Sequence, residues 1–188
     1  MKTLIIDATF EKLIVGYVDK NVENIKEIDI EKSNHQKILL TAINEVLSEA
    51  KINLSDIECI ALVVGPGSFT GIRIGISTAL GLTFESDIKR LEVSAFEVLG
   101  YKYTGKVEIE AGKGNKYVAD VKDGNVVNVY FNEAQSAEKN CISRKDVNYR
   151  KNLSCVVFDK INGKKFSKTY TPIYVRESQA ERNYVKNN

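Results

Sequence analysis

Six apolar residues in a row, Cys59-Ile60-Ala61-Leu62-Val63-Val64, run straight into Gly65-Pro66-Gly67, and a helix-forming stretch begins directly after them. A short continuous apolar run is the pattern of a strand covered on both faces, and such a strand delivered into a helix points to an α/β architecture. The junction itself reads Gly65-Pro66-Gly67-Ser68-Phe69-Thr70-Gly71-Ile72-Arg73-Ile74-Gly75. Amides at such a helix N-terminus can hold a phosphate, because unpaired donors and helix dipole point the same way. There is no lysine where a P-loop requires one, and the glycines do not follow G-x-G-x-x-G spacing. The other reading is a tight turn, with two glycines at unusual backbone angles and a proline that stops the strand.

Upstream, Leu4-Ile5-Ile6 and Leu13 to Val18 read as two strands joined by a polar turn, and Ile25 to Ile30 partly alternates as a third. Ser33 and Gln36 have capping-box spacing, and apolar residues at 38, 39, 42, 43, 46, 47 and 50 form a broad helical stripe. A second helix is expected from about Ser68 or Thr70 to Phe84, giving the order βββαβα. Beyond residue 100, Lys106 to Glu110, Tyr117 to Val121 and Val126 to Phe131 look like strands, with a tight turn at Asp123-Gly124-Asn125. Residues 132–152 are polar and lysine-rich. Ser154 to Phe158 and Pro172 to Arg176 are further strand candidates. A hinge near 97–105 would divide the chain into a first lobe, 1–100, and a smaller one, 101–188.

The 188 residues are 43% hydrophobic and 28% charged, which suits a globular chain of one domain or two small lobes. Residues 1–100 carry 10 Lys/Arg against 15 Asp/Glu, whereas 101–188 carry 17 against 10, so the halves differ in sign. Three cysteines without a CxxC pair and a single histidine support neither a disulfide framework nor a zinc cluster. A reduced, cytoplasmic protein is expected. The N-terminus meets Asp7 too early for a signal peptide, and no apolar run reaches the ~20 residues of a membrane span.

Candidates for chemistry are few. Asp7 ends the first strand with Thr9 close behind, so it could face a magnesium-bound nucleotide or simply bond to turn amides. Gly71, Gly75 and Ala79 recur every four residues on one helix face. Each mid-helix glycine costs about 1 kcal/mol of helix propensity relative to alanine, so something approaches this face closely. That neighbour is either the chain's own sheet and first helix or a helix of another subunit, with Ile72 and Ile76 flanking the groove. His35 fits the first helical turn, and Cys155 fits a small buried hydrophobe. No nucleophile–base set and no metal set can be nominated.

Leu4-Ile5-Ile6-Asp7-Ala8-Thr9, Asn34-His35-Gln36 and above all the glycine-rich junction closely resemble the bacterial TsaB (YeaZ) family. Glu110 to Tyr117 looks like its Asp-Ala-Arg…Tyr segment, and Pro172-Ile173-Tyr174-Val175-Arg176 resembles its closing motif. The resemblance is good over about residues 1–100 and patchy afterwards. It implies an actin/Hsp70/sugar-kinase type (ASKHA) fold, two lobes each with a mixed sheet and helices, the second abbreviated. It also implies a non-catalytic subunit in making N6-threonylcarbamoyladenosine in tRNA, paired with TsaD and joined by the ATPase TsaE, and homodimers through the first-lobe helices. Carried onto this chain, the partner surface would be His35, Leu39, Ala42, Gly71, Ile72, Gly75, Ile76 and Ala79. Any nucleotide contact would fall on Asp7, Thr9, Gly65, Gly67 and Ser68, with ATP or ADP expected at an assembled interface rather than on this chain alone.

The chain departs from the family pattern at Ala8, Gln36-Lys37, Glu110 and Gly112, and a second Asp-x-Gly phosphate loop is missing, which favours a degenerate scaffold over a phosphotransferase. A small ATP-dependent kinase of the same fold is the alternative. An independent RNA-binding protein would rest on the basic second half, where Lys139, Arg144, Lys145, Arg150 and Lys151 concentrate charge; tRNA contact through the complex, or ordinary solvated lysines, would also explain it.

Overall fold

In the computed structural model, residues 1–29, 35–134 and 140–176 are described, without the side chains of His35 and Gln36. Strands β1 (Thr3–Asp7), β2 (Lys12–Val18) and β3 (Glu23–Asp29) form the expected antiparallel meander. Helix α1 (His35–Glu49), strand β4 (Cys59–Val63) and helix α2 (Phe69–Leu82) follow. The strand β5 (Lys89–Val93) completes a five-stranded sheet in the order β3-β2-β1-β4-β5, with β1, β4 and β5 parallel. Every residue of β1 and β4 is buried, as continuous apolar runs demand of strands covered on both faces.

The pleat sends alternate residues into two cores. Leu4, Ile6, Ile60 and Leu62 join Leu39, Ala42, Val46 of α1 and Ala79 of α2 on one face. Ile5, Ala61 and Val63 face the opposite way, into a core shared with helix α3 (Ala95–Leu99) and helix α4 (Tyr149–Asn162). That same core takes in Val107, Ile109, Ala119 and Val121 of a second sheet. Strands β6 (Gly105–Gly112), β7 (Asn115–Lys122), β8 (Asn125–Asn132) and β9 (Cys141–Ile142) make it, in the order β8-β7-β6-β9. Its central hairpin turns at Asp123-Gly124 with φ of 50° and 79°, the positive pair that a two-residue primed turn requires. The two sheets with their helices are the α/β arrangement expected, and a single apolar cluster joins both sheets across residues 97–105.

Three elements differ from the sequence reading. Ser154 to Phe158 is not a strand but the middle of α4, whose buried Tyr149, Leu153, Val156 and Val157 recur at helical spacing. Residues 172–176 are not a strand either. They belong to a strap that returns across the first sheet: Ser167 N–H donates to the Arg90 carbonyl at 2.8 Å, the Tyr170 hydroxyl to that of Ile60 at 2.8 Å, and Ile173 N–H to that of Val64 at 2.9 Å. Helix α2 stops at Leu82 rather than Phe84: at Thr83 the backbone leaves helical geometry, with φ −102° and ψ 7°, and the Thr83 hydroxyl bonds back to the Ala79 carbonyl. The capping box proposed at Ser33 lies outside the described residues. No helix among the described residues is long and apolar enough to cross a membrane.

Candidate functional site

Asp7 emerges at the end of β1, where the sheet's fan of strands opens, and it is wholly buried. Its Oδ1 accepts from Thr9 N–H at 2.8 Å and from the Thr9 hydroxyl at 2.6 Å, an Asx turn within β1–β2. Its Oδ2 accepts from the Tyr149 hydroxyl at 2.9 Å, across 142 residues of chain. Tyr149 opens α4, and Asn148 caps that helix by accepting from Lys151 N–H at 3.3 Å. The Phe10 ring meets Tyr149 edge-on at 5.3 Å, and the Arg144 guanidinium lies 4.6 Å from the Phe10 centroid and 4.8 Å from that of Tyr149. Arg144 is in turn paired with Glu27 of β3 at 2.7 Å, and Ser154 donates to Glu23 at 2.6 Å.

Burial pushes the Asp7 carboxyl above its ordinary range, outweighing the hydrogen bonds from Thr9 and Tyr149 and the charge of Arg144, all of which pull it down. Burial first, then the Asp7 charge, holds the Tyr149 hydroxyl well above its usual value, so it is a neutral donor. A group whose folded pKa is raised contributes stability present below its unfolded value, here 3.8, and lost as pH rises through the folded value. Stability of the native chain relative to Asp7→Asn should therefore be greatest below about pH 4 and fall as pH rises, levelling once the folded carboxyl has ionised. Urea unfolding of both proteins across that range measures it. Asp19, Glu49 and Asp146, whose pKa values are lowered, slope the other way but cancel in the difference. A difference that stays flat or grows with pH would contradict the burial of Asp7 as the controlling cause.

The glycine-rich junction lies beside this carboxylate. Ser68 N–H donates to the Thr9 carbonyl at 2.7 Å, and the exposed Ser68 side chain caps α2 by accepting from Gly71 N–H at 3.2 Å. Gly67 has φ +157°, and a Cβ there would stand 2.2 Å from the Thr9 carbonyl oxygen. A Cβ on Gly65 would stand 2.7 Å from the Ile173 carbonyl of the strap. Of the two readings of the junction, the tight turn accounts for both glycines: the space against them holds the chain's own backbone. A nucleotide phosphate and its metal do not fit these residues as placed, because Asp7 is sealed by Thr9 and Tyr149, and Gly65 by the strap. Among the described residues no group of three His, Cys, Asp or Glu could hold a metal ion.

The partner residues inferred from the first-lobe helices need correcting. Gly71 and Gly75 face inward: a Cβ on Gly71 would lie 1.8 Å from the Ala8 carbonyl oxygen, and one on Gly75 would lie 3.1 Å from Leu62 Cδ1. Ile72, Ala79, Leu39 and Ala42 are at most 2% exposed. The close neighbour of the small-residue face is thus the chain's own β1 end and β4, and no second subunit can touch these side chains. Ile76 is partly buried, and the His35 side chain lies outside the described residues. The outward face of α2 carries instead Phe69, Arg73 and Leu80, Phe84 just past its C-terminal end is 73% exposed, and Leu40 of α1 is 50% exposed. The basic cluster is also reduced, since Arg144 is committed to Glu27 and to two rings, and Lys139 is outside the described residues. Cys155 is partly exposed rather than fully buried.

Sequence reasoning missed Tyr149, Phe10, Arg144 and Glu27 as parts of one cluster. The helical spacing 149, 153, 156, 157 was the available signal for Tyr149, since it puts that residue on a buried face.

Comparison with known proteins agrees with this architecture. A family model described as TsaD, tRNA N6-adenosine threonylcarbamoyltransferase, matches residues 28–144. The tRNA threonylcarbamoyladenosine biosynthesis protein TsaB of Haemophilus influenzae is 29% identical over 105 residues, covering 56% of this chain and 42% of that protein. TsaB of Bacillus subtilis is 29% identical over 122 residues, covering 62% of this chain and 53% of its own. The chain thus spans about half the length of the curated relatives it matches. The structure of YeaZ from Pseudomonas aeruginosa superposes with a TM-score of 0.72 at 18% identity, covering 92% of this chain and 99% of that one.

Proposed function

The chain carries a TsaD-like domain and belongs to the TsaB (YeaZ) family, and from that premise we propose that it is a non-catalytic partner subunit in the synthesis of N6-threonylcarbamoyladenosine in tRNA. The observation that carries the non-catalytic reading is the sealing of Asp7. Asp7, the carboxylate offered for a nucleotide at the end of β1, is engaged on both oxygens by Thr9 and Tyr149. A kinase of the same fold would need that carboxylate accessible. In this reading a TsaD-type transferase supplies the chemistry, a TsaE-type ATPase joins the pair, tRNA is reached through the assembled complex in the cytoplasm, and any ATP or ADP sits at a shared interface.

The partner surface is the C-terminal end of α2 with the turn that follows it. Leu80 in the last turn of α2 and Phe84 just past its end are both exposed, and around the Cβ position of Gly81 between them nothing approaches within 4 Å. Apolar side chains left exposed together at a helix end are what an interface buries. Changing Leu80 and Phe84 together to aspartate should leave the thermal transition near that of the native chain, since neither side chain is in the core. Co-purification with the TsaD-type transferase should fall by roughly tenfold or more, the scale of a lost interface anchor. Full retention of the partner by a folded double variant would move the interface off this helix. Within cells, depletion of the chain should lower threonylcarbamoyladenosine in bulk tRNA, and re-expression should restore it.

A further inference from the structure

Two arginine–aromatic stacks meet where the C-terminal strap passes from the first sheet toward the second. On the α2 side, the Arg73 guanidinium lies 4.0 Å from the Phe69 centroid, and Phe69 stacks on Tyr174 at 5.0 Å with 34° between the rings. Two residues along the strap, the Arg176 guanidinium lies 4.2 Å from the Phe131 centroid on β8. The row therefore runs from the first turn of α2 to the edge of the second sheet. Phe69 and Tyr174 are 37% and 41% exposed, and Arg73 is exposed as well.

These arginines differ from the others nearby. Arg144 pairs with Glu27, and Arg90 is spent on Thr83 and the Lys168 carbonyl. Among the described residues neither Arg73 nor Arg176 forms an ion pair. A guanidinium lying over a ring keeps N–H groups that can fork onto a phosphate, while rings and guanidinium planes offer faces for bases. Repetition of that unit along a row exposed at Phe69, Arg73 and Tyr174 and half-buried at Arg176 and Phe131 suits successive nucleotides of an unpaired strand better than it suits a duplex, whose bases are already stacked.

We infer that Arg73, Phe69, Tyr174, Arg176 and Phe131 form a ledge for an unpaired stretch of RNA, with bases on Tyr174 and Arg176 and phosphates on the free N–H groups of both arginines. The inference rests on the tRNA-modification reading above for its biological substrate, and it names the contact this chain itself makes.

The probe is a labelled oligouridylate of about a dozen nucleotides, within the span one such platform covers. Its binding is measured on the full chain and on the chain's complex with its transferase, over a series of salt concentrations. Tyr174→Ser should weaken binding by roughly tenfold with the salt slope unchanged, and Tyr174→Phe should restore it, because a ring suffices for stacking. Arg73→Ala with Arg176→Ala should flatten the slope by roughly 1.4, two phosphate contacts at about 0.7 each for a single strand. Equal affinity and slope in all four proteins would overturn the ledge. So would loss of the transferase with oligouridylate binding unchanged, which would make the row a protein contact. Failure of the tRNA-modification reading would leave oligouridylate binding intact, so the two fail separately.

Discussion

Replacing Gly71 with alanine is expected to cost about 3 kcal/mol or more, a large share of the roughly 5–15 kcal/mol that holds an ordinary domain folded. The new Cβ would stand 1.8 Å from the Ala8 carbonyl oxygen. Backbone at the end of a buried strand has no side-chain freedom with which to move aside, so α2 would have to shift as a body and open the core around Ala79 and Leu62. Gly81→Ala is the control on the same helix. With nothing within 4 Å it should be neutral or stabilise by up to about 1 kcal/mol through helix propensity. Urea unfolding of the two variants measures both effects. A Gly71→Ala protein as stable as the native chain, but unable to bind its partner, would return the small-residue face to an intermolecular role.

The second large effect is expected at Tyr149. Tyr149→Ala should lose about 3–5 kcal/mol, the range for removing a buried aromatic side chain, and should also free Arg144 from the ring it covers. Tyr149→Phe separates the hydroxyl from the ring. It keeps the packing against Phe10 but leaves Asp7 Oδ2 without its buried donor, which should cost about 1–3 kcal/mol. Chemical denaturation at neutral pH gives both values. If Tyr149→Phe proves as stable as the native chain, the hydroxyl contributes nothing to holding α4 against β1, and the sealing of Asp7 loses its energetic basis.

Much of the first sheet was legible because its strands announce themselves. Leu4 to Ile6 and Cys59 to Val64 are continuous apolar runs, and the α1 stripe keeps its period for three turns. Where the pattern is short or mixed, legibility falls. β5 offers only Leu91 and Val93 between charged neighbours, too short an alternation to announce a strand, and pairing with β4 carries both into the core. The strand expected at Ser154 to Phe158 contains Val156-Val157, β-branched neighbours whose local preference is overridden by the buried helical face they share with Leu153. The candidate site shows a different limit. The spacing of Gly71, Gly75 and Ala79 requires a close neighbour, yet only the three-dimensional course of β1 says that the neighbour is Ala8. Asp7 at a strand end was visible as a candidate, whereas the donor that seals it stands 142 residues away, beyond the reach of any local pattern.

The division of labour between this chain and its partner is tested most directly by reconstitution: the chain and its TsaD-type transferase are purified separately, then combined with the TsaE-type ATPase, tRNA and an activated threonylcarbamoyl donor, and modified adenosine in the tRNA is measured. The predicted result is efficient modification only when this chain is present, with no modification by the chain alone and no ATP hydrolysis by it in isolation. Full modification without this chain, or turnover of ATP by the purified chain that disappears on Asp7→Ala, would contradict it.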